Sequence, residues 1–220
     1  MSDDANVARA AKLDTATLSD ALDRLGVVGQ CYRIAGRDPS FHMTGRAFTM
    51  RCGPAATPPG TVGDYIDDVP AGQIVVIDNG GRDDATIWGD ILTEIAHRRG
   101  IGGTLIDGIS RDVALCRQLG YPVFSRGHWM RTGKDRVQVE ETNCVVNIGG
   151  ARIAPGDIVR GDADGVVVLP KEHEARVLDA AEEIGAAEEK IRDAVRKGMR
   201  LDEARAAFRY HQLQSRPRTE

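Results

Sequence analysis

Two carboxylates and a guanidinium lie close together in residues 102–114, where an apolar run bounded by glycines is followed by a helical pattern. The run ends at Asp107, and Arg111 and Asp112 fall in the first turn of the predicted helix. In open α/β sheets, the carboxyl end of a strand and the amino end of the next helix face one crevice, where free N–H groups favour anions. We therefore interpret this segment as the centre of a polar site. The alternative is an aspartate that only caps a helix.

A weak internal repeat places the same residue types elsewhere in the chain. Residues 77–85 and 106–114 both contain Asp, Arg and Asp at the same offsets, and in the first copy these are Asp78, Arg82 and Asp83. Each copy follows a β-branched run of the kind found in strands that are buried on both faces. Two such turns at one edge of a parallel sheet would form a single polar crevice. We favour this interpretation over coincidence.

The periodicity of the whole chain predicts an α/β fold with a mixed sheet, a C-terminal antiparallel meander and a long C-terminal helix. The predicted helices cover residues 17–26, 85–99, 113–120, a long stretch between Pro170 and Gly198, and 201–208. The predicted strands cover residues 46–52, 73–78, 102–107, 121–125, 144–148, 151–153, 157–160 and 165–169. A Thr-x-x-Asp box begins the first helix at Thr17. Prolines make 53–63 a loop, and we favour a solvated crossover over a mobile substrate loop for the polar stretch 127–142.

Composition limits the class of protein. The chain has 220 residues and a formal net charge of −4, so neither nucleic acid nor a membrane is an expected partner. None of its four cysteines forms a C-x-x-C pair, which disfavours a zinc knuckle or a disulfide framework. We find neither a signal peptide nor a membrane-spanning run. We therefore expect a cytoplasmic protein with one domain over residues 1–210 and a disordered tail at 211–220.

From about Thr17 to about Leu201 the chain resembles a known family. This family unites the class II 4-hydroxy-4-methyl-2-oxoglutarate / 4-carboxy-4-hydroxy-2-oxoadipate aldolases with the regulator of ribonuclease activity A (RraA). The matching motifs, in order, are L-S-D-A-L at 18–22, D-N-G-G at 78–81, W-G-D-I-L at 88–92, D-G-x-x-R-D at 107–112, and G-G, P-G-D and D-A-D-G-V-V between 149 and 167. The resemblance implies a swivelling β/β/α domain that assembles as a trimer or a pair of trimers, with active sites between neighbouring subunits.

For the aldolases of this family, the resemblance implies that Asp112 anchors a divalent cation, Mg²⁺ or Mn²⁺, mainly through water. It also implies that Arg111 contacts the bound 2-oxo acid substrate. The substrate carboxylate would be held by backbone N–H groups of one segment, namely Gly89, Asp90, Ile91 and Leu92. Magnesium keeps several of its waters and takes few protein carboxylates, so one or two aspartates suffice. The metal would act as a Lewis acid and stabilise the enolate that forms when the C3–C4 bond breaks.

A water or a carboxylate must move the proton of the departing hydroxyl group. We predict Arg111 and Asp107 as catalytic residues, and both Asp107 and Asp90 as candidates for orienting the groups around the cation. Each assignment has a structural alternative. Asp107 could only build a turn, Arg111 could only pair with a neighbouring aspartate, and Asp112 could only be a helix-start charge.

The chain departs from the family pattern at one position. Family aldolases carry an acidic residue after the glycine that ends the long C-terminal helix, whereas Gly198 is followed here by Met199. Because a methionine neither accepts a proton nor orients a metal-bound water, either a nearby carboxylate compensates or the reaction differs. The candidate carboxylates are Asp202, Glu203, Glu188 and Glu189.

The expected function is therefore a divalent-metal-dependent lyase that cleaves a 4-hydroxy-2-oxo acid to pyruvate and an oxo compound, with oxaloacetate decarboxylation as a related activity. One alternative is a non-catalytic trimer that binds a protein such as a ribonuclease. The Arg111-Asp112 pair argues against it, since the RraA branch generally lacks that aspartate. The other alternative is a different metal-dependent enolisation or isomerisation of a hydroxy acid on the same scaffold, which Met199 leaves open.

Overall fold

The structure is a computed structural model, and it describes residues 4–208 and residue 210. The strands are β1 (Ala35–Gly36), β2 (Met43–Pro54), β3 (Ile74–Arg82), β4 (Gly103–Ser110), β5 (Val123–His128), β6 (Val137–Thr142), β7 (Val146–Ile148), β8 (Ala151–Ile153), β9 (Ile158–Asp162) and β10 (Gly165–Leu169). The helices are α1 (Ala5–Ala10), α2 (Thr15–Leu25), α3 (Asp90–Arg98), α4 (Val113–Leu119), α5 (Glu174–Arg196) and α6 (Leu201–Ala207). A short 3₁₀ helix covers Asp64–Asp68. The predicted tail at 211–220 lies outside the described residues.

An eight-stranded mixed sheet forms the centre of the fold, with the order β1-β5-β4-β3-β2-β9-β10 and with β6 paired to β2. Strands β5, β4, β3 and β2 pair parallel to one another, whereas β1 and β9 pair antiparallel at the two ends of this run. Every residue of β4 is buried, and Ile74–Ile77 of β3 are 0% exposed. Such burial explains the β-branched runs, because helices or loops cover both faces of these strands. The predicted mixed α/β class is confirmed.

Two predictions about the second half of the chain need correction. The predicted meander is two separate hairpins: β7 pairs with β8 in a small sheet of its own, whereas β9 and β10 join the main sheet beside β2. The stretch 127–142 is also not simply a crossover. Strand β5 continues to His128, and β6 pairs antiparallel with the second half of β2. The charged residues of β6, Glu140 and Glu141, are exposed and mask its strand pattern.

Helices α1, α2 and α5 pack together over β9 and β10 and bury an apolar cluster that includes Leu18, Leu22 and Leu178. Helix α2 ends at Gly26, which has the left-handed conformation expected at this position. Its amino-terminal cap is Asp14 rather than Thr17, because the Asp14 side chain accepts the backbone N–H of Thr17. The long helix α5 and the short helix α6 occur where the sequence predicts them.

Helix α3 begins five residues later than predicted, at Asp90 rather than near residue 85. Residues before it are held in extended structure, since the backbone N–H and hydroxyl of Thr86 both donate to Arg131 O at 3.0 Å. Ile87 is buried by this pairing, whereas Ile91, predicted on the same apolar stripe, is 70% exposed. A helical spacing of apolar residues thus spans a strand-like segment and a helix.

Two observations bear on the composition. All four cysteines are unpaired, and Cys31, Cys116 and Cys144 are buried, as expected for small apolar side chains. Within the described part of the chain, none of the helices combines the length and apolar character that crossing a bilayer requires.

Asp162 links the start of α2 to β9. Its carboxylate accepts the Thr15 hydroxyl at 2.6 Å and the Thr15 N–H at 2.8 Å. Burial raises the pKa of Asp162, but these hydrogen bonds, the Asp164 N–H and the nearby Arg160 outweigh it, so the pKa is lowered overall. Because the pKa is lowered in the folded state, the ionised carboxylate stabilises the protein at pH values above its unfolded pKa of about 3.9. This stabilisation decreases as the pH falls below that value.

We therefore expect Asp162→Asn to lower the free energy of unfolding at pH 7 by about 2 kcal/mol, the size of a hydrogen-bonded charge. Urea titrations at pH 7 and pH 3 test this prediction. The difference between wild type and variant should shrink at the lower pH, where the wild-type carboxylate loses its advantage. A difference that is the same at both pH values would contradict the prediction.

Candidate active site

Strand β4 runs through Asp107 and ends at Ser110, so only Arg111 and Asp112 connect it to α4. The predicted end of the strand at Asp107 is therefore wrong. Asp112 has a left-handed backbone, with φ 55°, and stands at the cap position of α4 without capping it through its side chain. An aspartate tolerates this conformation better than most residues. The turn leaves the carboxylate free to point away from its own helix.

The carboxylate of Asp112 points instead to the start of α3. Its Oδ2 accepts the backbone N–H of Asp90 at 3.0 Å and lies 3.2 Å from Nε of Arg111. The backbone N–H of Arg111 donates to Trp88 O at 3.0 Å. Both side chains of the Arg111-Asp112 pair are about one third exposed. A carboxylate at a helix amino terminus is favourably placed because the unpaired N–H groups carry partial positive charge.

A cavity of about 230 Å³ lies between the start of α3, the Arg111 side chain and the segment before β6. We call it the α3 cavity. Its lining residues are Val62, Gly63, Thr86, Ile87, Trp88, Gly89, Asp90, Ile91, Leu92, Arg111, Thr132, Gly133 and Lys134. The structure thus brings together the four residues predicted to bind the substrate and Arg111. The space suits a small metabolite.

Two amides of the predicted carboxylate-binding segment already donate to carboxylates of the protein. The Asp90 N–H donates to Asp112, and the Ile91 N–H donates to the Asp90 side chain at 2.8 Å. These contacts show that the start of α3 accommodates negative charge. A bound carboxylate that uses the Ile91 N–H must displace the side chain of Asp90.

Gly89 is where the backbone comes closest to the Arg111-Asp112 pair. A Cβ atom at this position would lie 2.9 Å from Oδ2 of Asp112 and 3.0 Å from Nε of Arg111. The backbone of Gly89 is extended, with φ −149°, so its conformation does not require glycine. A side chain at this position would require the Arg111-Asp112 pair to shift, because the pair lies directly against the backbone.

Asp107 lies apart from this cavity. It is 6% exposed, forms an ion pair with Arg126 and accepts the backbone N–H of Gly149 at 2.8 Å. Asp78, its register partner on β3, accepts the backbone N–H of Asn147 at 3.1 Å. The first aspartate of each repeat copy therefore holds the β7–β8 turn.

The predicted single crevice does not form, because the second halves of the two copies diverge. Arg82 lies 3.5 Å from Asp84 and belongs to the extended end of β3, whereas Arg111 and Asp112 follow the end of β4. Of the two repeat copies, only the second borders the α3 cavity, and it does so through Arg111.

We expect Asp107→Asn to lower the free energy of unfolding by about 2 kcal/mol, less than for a fully buried ion pair because Arg126 is partly exposed. Asp78→Asn is the matched control. Asp78 bonds backbone N–H groups but has no arginine partner within hydrogen-bonding distance among the described residues, so its effect should stay below about 1 kcal/mol. Urea unfolding measures both variants. Unchanged stability for Asp107→Asn would contradict the expectation and favour the predicted catalytic role.

The described residues contain no group of three or more His, Cys, Asp or Glu side chains that could hold a metal ion. Asp112 still offers one oxygen, since its contacts with Asp90 N and Arg111 Nε both use Oδ2 and leave Oδ1 without a hydrogen bond in residues 4–208. Mg²⁺ and Mn²⁺ accept one or two carboxylates and complete their shells with water. The residues therefore fit a cation attached at one point and do not fit a zinc site.

Asp112 does not line the α3 cavity itself. It lines a separate cavity of about 390 Å³, on the β5 side of the pair. Its other lining residues are Arg111, Val113, His128, Trp129 and Met130. Trp129 and Met130 are 43% and 71% exposed, so large apolar side chains face solvent beside the charge pair.

Two residues at the site, Lys134 and Thr93, are not predicted from the sequence. Lys134 lines the α3 cavity because the Thr86–Arg131 pairing brings its loop there, and no local pattern marks that pairing. Thr93 lies behind the cavity wall and is 0% exposed. Its position in the first turn of α3 could have indicated a buried hydroxyl only if the start of the helix had been placed correctly.

Met199 follows α5 and is 41% exposed. Three of the four candidate carboxylates already pair with arginines of the same chain: Asp202 with Arg200, Glu188 with Arg192, and Glu189 with Arg192 and Arg196. Glu203, in contrast, lines the same surface cleft as Met199. Of the four carboxylates, Glu203 is the one that lies in the same cleft as Met199, the residue that departs from the family pattern.

The family model described as RraA-like, Aldolase/RraA, matches residues 15–168. The chain therefore belongs to the RraA-like family. It is 38% identical over 202 residues to the protein DlpA of Legionella pneumophila, and this match covers 90% of the chain but only 33% of DlpA. It is also 35% identical over 177 residues to a protein of Halalkalibacterium halodurans named "Putative 4-hydroxy-4-methyl-2-oxoglutarate aldolase", covering 80% of the chain and 82% of that protein.

Solved structures give the same assignment. An uncharacterized protein from Pseudomonas syringae pv. tomato has a TM-score of 0.85 and 40% identity, and the match covers 91% of this chain and 96% of the other. RraAS2 of Streptomyces coelicolor, described as an unusual member of the RNase ES inhibitor RraA family, has a TM-score of 0.79 and 25% identity, with 86% and 97% covered. The relatives thus include proteins named as aldolases and a protein of the RraA branch.

Proposed function

We propose that this protein is a divalent-metal-dependent lyase that cleaves a 4-hydroxy-2-oxo acid to pyruvate and an oxo compound. The observation that carries the proposal is the Arg111-Asp112 pair, held against the amide groups at the start of α3 beside a cavity of about 230 Å³. The names of the aldolase relatives support the same reaction class.

In this proposal each predicted residue has a distinct task. Arg111 offers a planar set of donors to the 2-oxo acid, where negative charge develops during cleavage. The amides of residues 89–92 bind the substrate carboxylate after Asp90 has released the Ile91 N–H. Asp112 would hold Mg²⁺ or Mn²⁺ through Oδ1. A cation bound there supplies Lewis acidity toward the oxygens of the substrate.

A carboxylate or water must also accept the hydroxyl proton of the substrate. Of the two aspartates predicted to orient the groups around the cation, Asp90 lines the α3 cavity whereas Asp107 does not. The Asp90 side chain is exposed, and it accepts the neighbouring N–H of Ile91. We therefore assign proton transfer to Asp90, directly or through one water.

We further propose the trimer or pair of trimers that the family resemblance implies, with sites completed by a neighbouring subunit. Exposed apolar side chains beside the charge pair support this: Ile91, Trp129 and Met130 are 70%, 43% and 71% exposed. Light scattering coupled to size-exclusion chromatography measures the mass in solution. A monomer at micromolar concentration would contradict this part of the proposal.

Exchange of the methyl protons of pyruvate in heavy water tests the chemistry without knowledge of the full substrate. We expect exchange that depends on added Mg²⁺ or Mn²⁺ and stops with a chelator, since exchange needs the same deprotonation at C3. Proton NMR of the methyl signal follows the rate. No metal-dependent exchange by folded protein would contradict the lyase.

RraAS2 favours one second candidate, a protein-binding member of the family without catalytic activity. Such a protein would show no pyruvate exchange with any divalent metal. The same experiment therefore separates the two candidates.

A further inference from the structure

A buried hydroxyl lies behind the proposed site. Thr93 is 0% exposed, and its Oγ1 donates to Gly89 O at 2.8 Å and accepts the indole N–H of Trp88 at 2.9 Å. The Sγ of Cys116 lies 3.5 Å away. A hydroxyl has one proton, and here Gly89 O receives it. The Thr93 hydroxyl therefore fixes the peptide that precedes α3.

Cys116 extends this contact to the segment that carries the charge pair. It is 0% exposed, and its Sγ lies 3.8 Å from Asp112 O. Because the Thr93 proton is committed to Gly89 O, the single thiol proton of Cys116 serves either Thr93 Oγ1 or Asp112 O, and the sulfur packs against the other. A continuous set of buried contacts thus runs from Trp88 and Gly89 through Thr93 to the Asp112 turn.

The same two segments, 88–93 and 111–116, also meet nearer the surface. Arg111 N donates to Trp88 O, and Asp90 N donates to the Asp112 carboxylate, each at 3.0 Å. The backbone of Gly89 leaves no room for a Cβ between it and the pair. With spacing this close, a movement of Gly89 by a few tenths of an ångström changes both surface contacts.

We propose that Thr93 is a positioning residue that fixes the amide donors of residues 89–92 relative to the Arg111-Asp112 pair. This inference rests on the proposed function for its catalytic consequence. Thr93 itself does not line the α3 cavity, so it acts through Gly89 and Cys116. Without the hydroxyl, the buried Trp88 indole N–H loses its acceptor, and Gly89 O keeps only the backbone N–H of Thr93 at 3.0 Å. The start of α3 then moves relative to the pair.

Thr93→Val tests the proposal because it keeps the shape of the side chain and removes the hydroxyl. We expect the maximal rate of metal-dependent pyruvate exchange to fall about tenfold, the lower end of effects for groups that orient a site. Thr93→Ser, which restores the hydroxyl, should recover most of the rate. Thr49→Val is the matched control, since Thr49 is also 0% exposed and donates to a backbone carbonyl, Cys144 O, elsewhere in the fold.

Amide hydrogen exchange followed by mass spectrometry gives a second readout that does not depend on the reaction. Thr93→Val should speed exchange about tenfold in peptides covering both 88–93 and 111–116, and Thr49→Val should leave them unchanged. Unchanged protection in Thr93→Val, or a wild-type pyruvate rate per folded molecule, would overturn the proposal. If wild type itself does not exchange pyruvate protons, the proposed function fails, and the amide protection still decides whether Thr93 joins the two segments.

Discussion

Replacement of Asp112 by asparagine should reduce metal-dependent exchange of pyruvate methyl protons by about 100-fold or more, the size of losing a key electrostatic group. The amide oxygen of asparagine can still accept the Asp90 N–H at the position of Oδ2. The negative charge that would attract the cation is lost. We expect the free energy of unfolding to change by less than about 0.5 kcal/mol, because the pair is partly exposed.

Asp179→Asn is the matched control for this variant. Asp179 also forms an ion pair with an arginine, Arg9, at 2.6 Å, but on the surface of α5. It should keep the wild-type exchange rate. Equal rates in Asp112→Asn and wild type would remove Asp112 from the mechanism. A collapse of the fold or the oligomer in Asp112→Asn would instead support its interpretation as a structural helix-start charge.

Gly89→Ala should produce the second large effect, a fall of about 100-fold in the same exchange rate. The new methyl group would lie 2.9 Å from Oδ2 of Asp112 and 3.0 Å from Nε of Arg111, so the charge pair must move. Displacements of this order are costly when reacting groups must be aligned. The measurement is the exchange rate at saturating metal and pyruvate, together with the thermal midpoint of unfolding.

Gly185→Ala on α5 is the control for a glycine-to-alanine change. An added Cβ there meets nothing closer than 3.8 Å, the distance to Cγ2 of Thr17. It should leave the rate unchanged and should stabilise the helix slightly. A Gly89→Ala protein with wild-type activity would show that the pair can relax without loss of function.

The sequence predicts most of the strands because a buried strand is a short continuous run of apolar residues. The β-branched run at the start of β3 and the valine run of β10 are each buried throughout, so they contain few polar residues. Helix α5 is predicted equally well, from its apolar spacing and from Gly198. The start of α3 is not predicted correctly, because a pairing with residue 131, far along the chain, holds the segment before Asp90 in extended structure.

The sequence predicts the candidate site less well than it predicts the fold. The geometry that brings residues 89–92 next to Arg111 depends on the neighbouring β3 and β4, and the sequence pointed to it through the family motifs rather than through spacing. Asp107 shows the physical limit. An aspartate inside a strand is tolerated because Arg126 and the Gly149 N–H satisfy it, and these partners lie 19 and 42 residues away.

The Asp90 side chain on the Ile91 amide means that the start of α3 carries its own competitor for anions. Any ligand must replace a tethered carboxylate, so its apparent affinity is reduced by the fraction of time that the amide is occupied. A simple anion such as acetate offers only what the tether already provides. Under the proposed function, the keto oxygen of a 2-oxo acid would contact the Arg111 guanidinium in addition, and the acid would gain from the exchange. The Asp90 side chain would then favour 2-oxo acids over monofunctional acids.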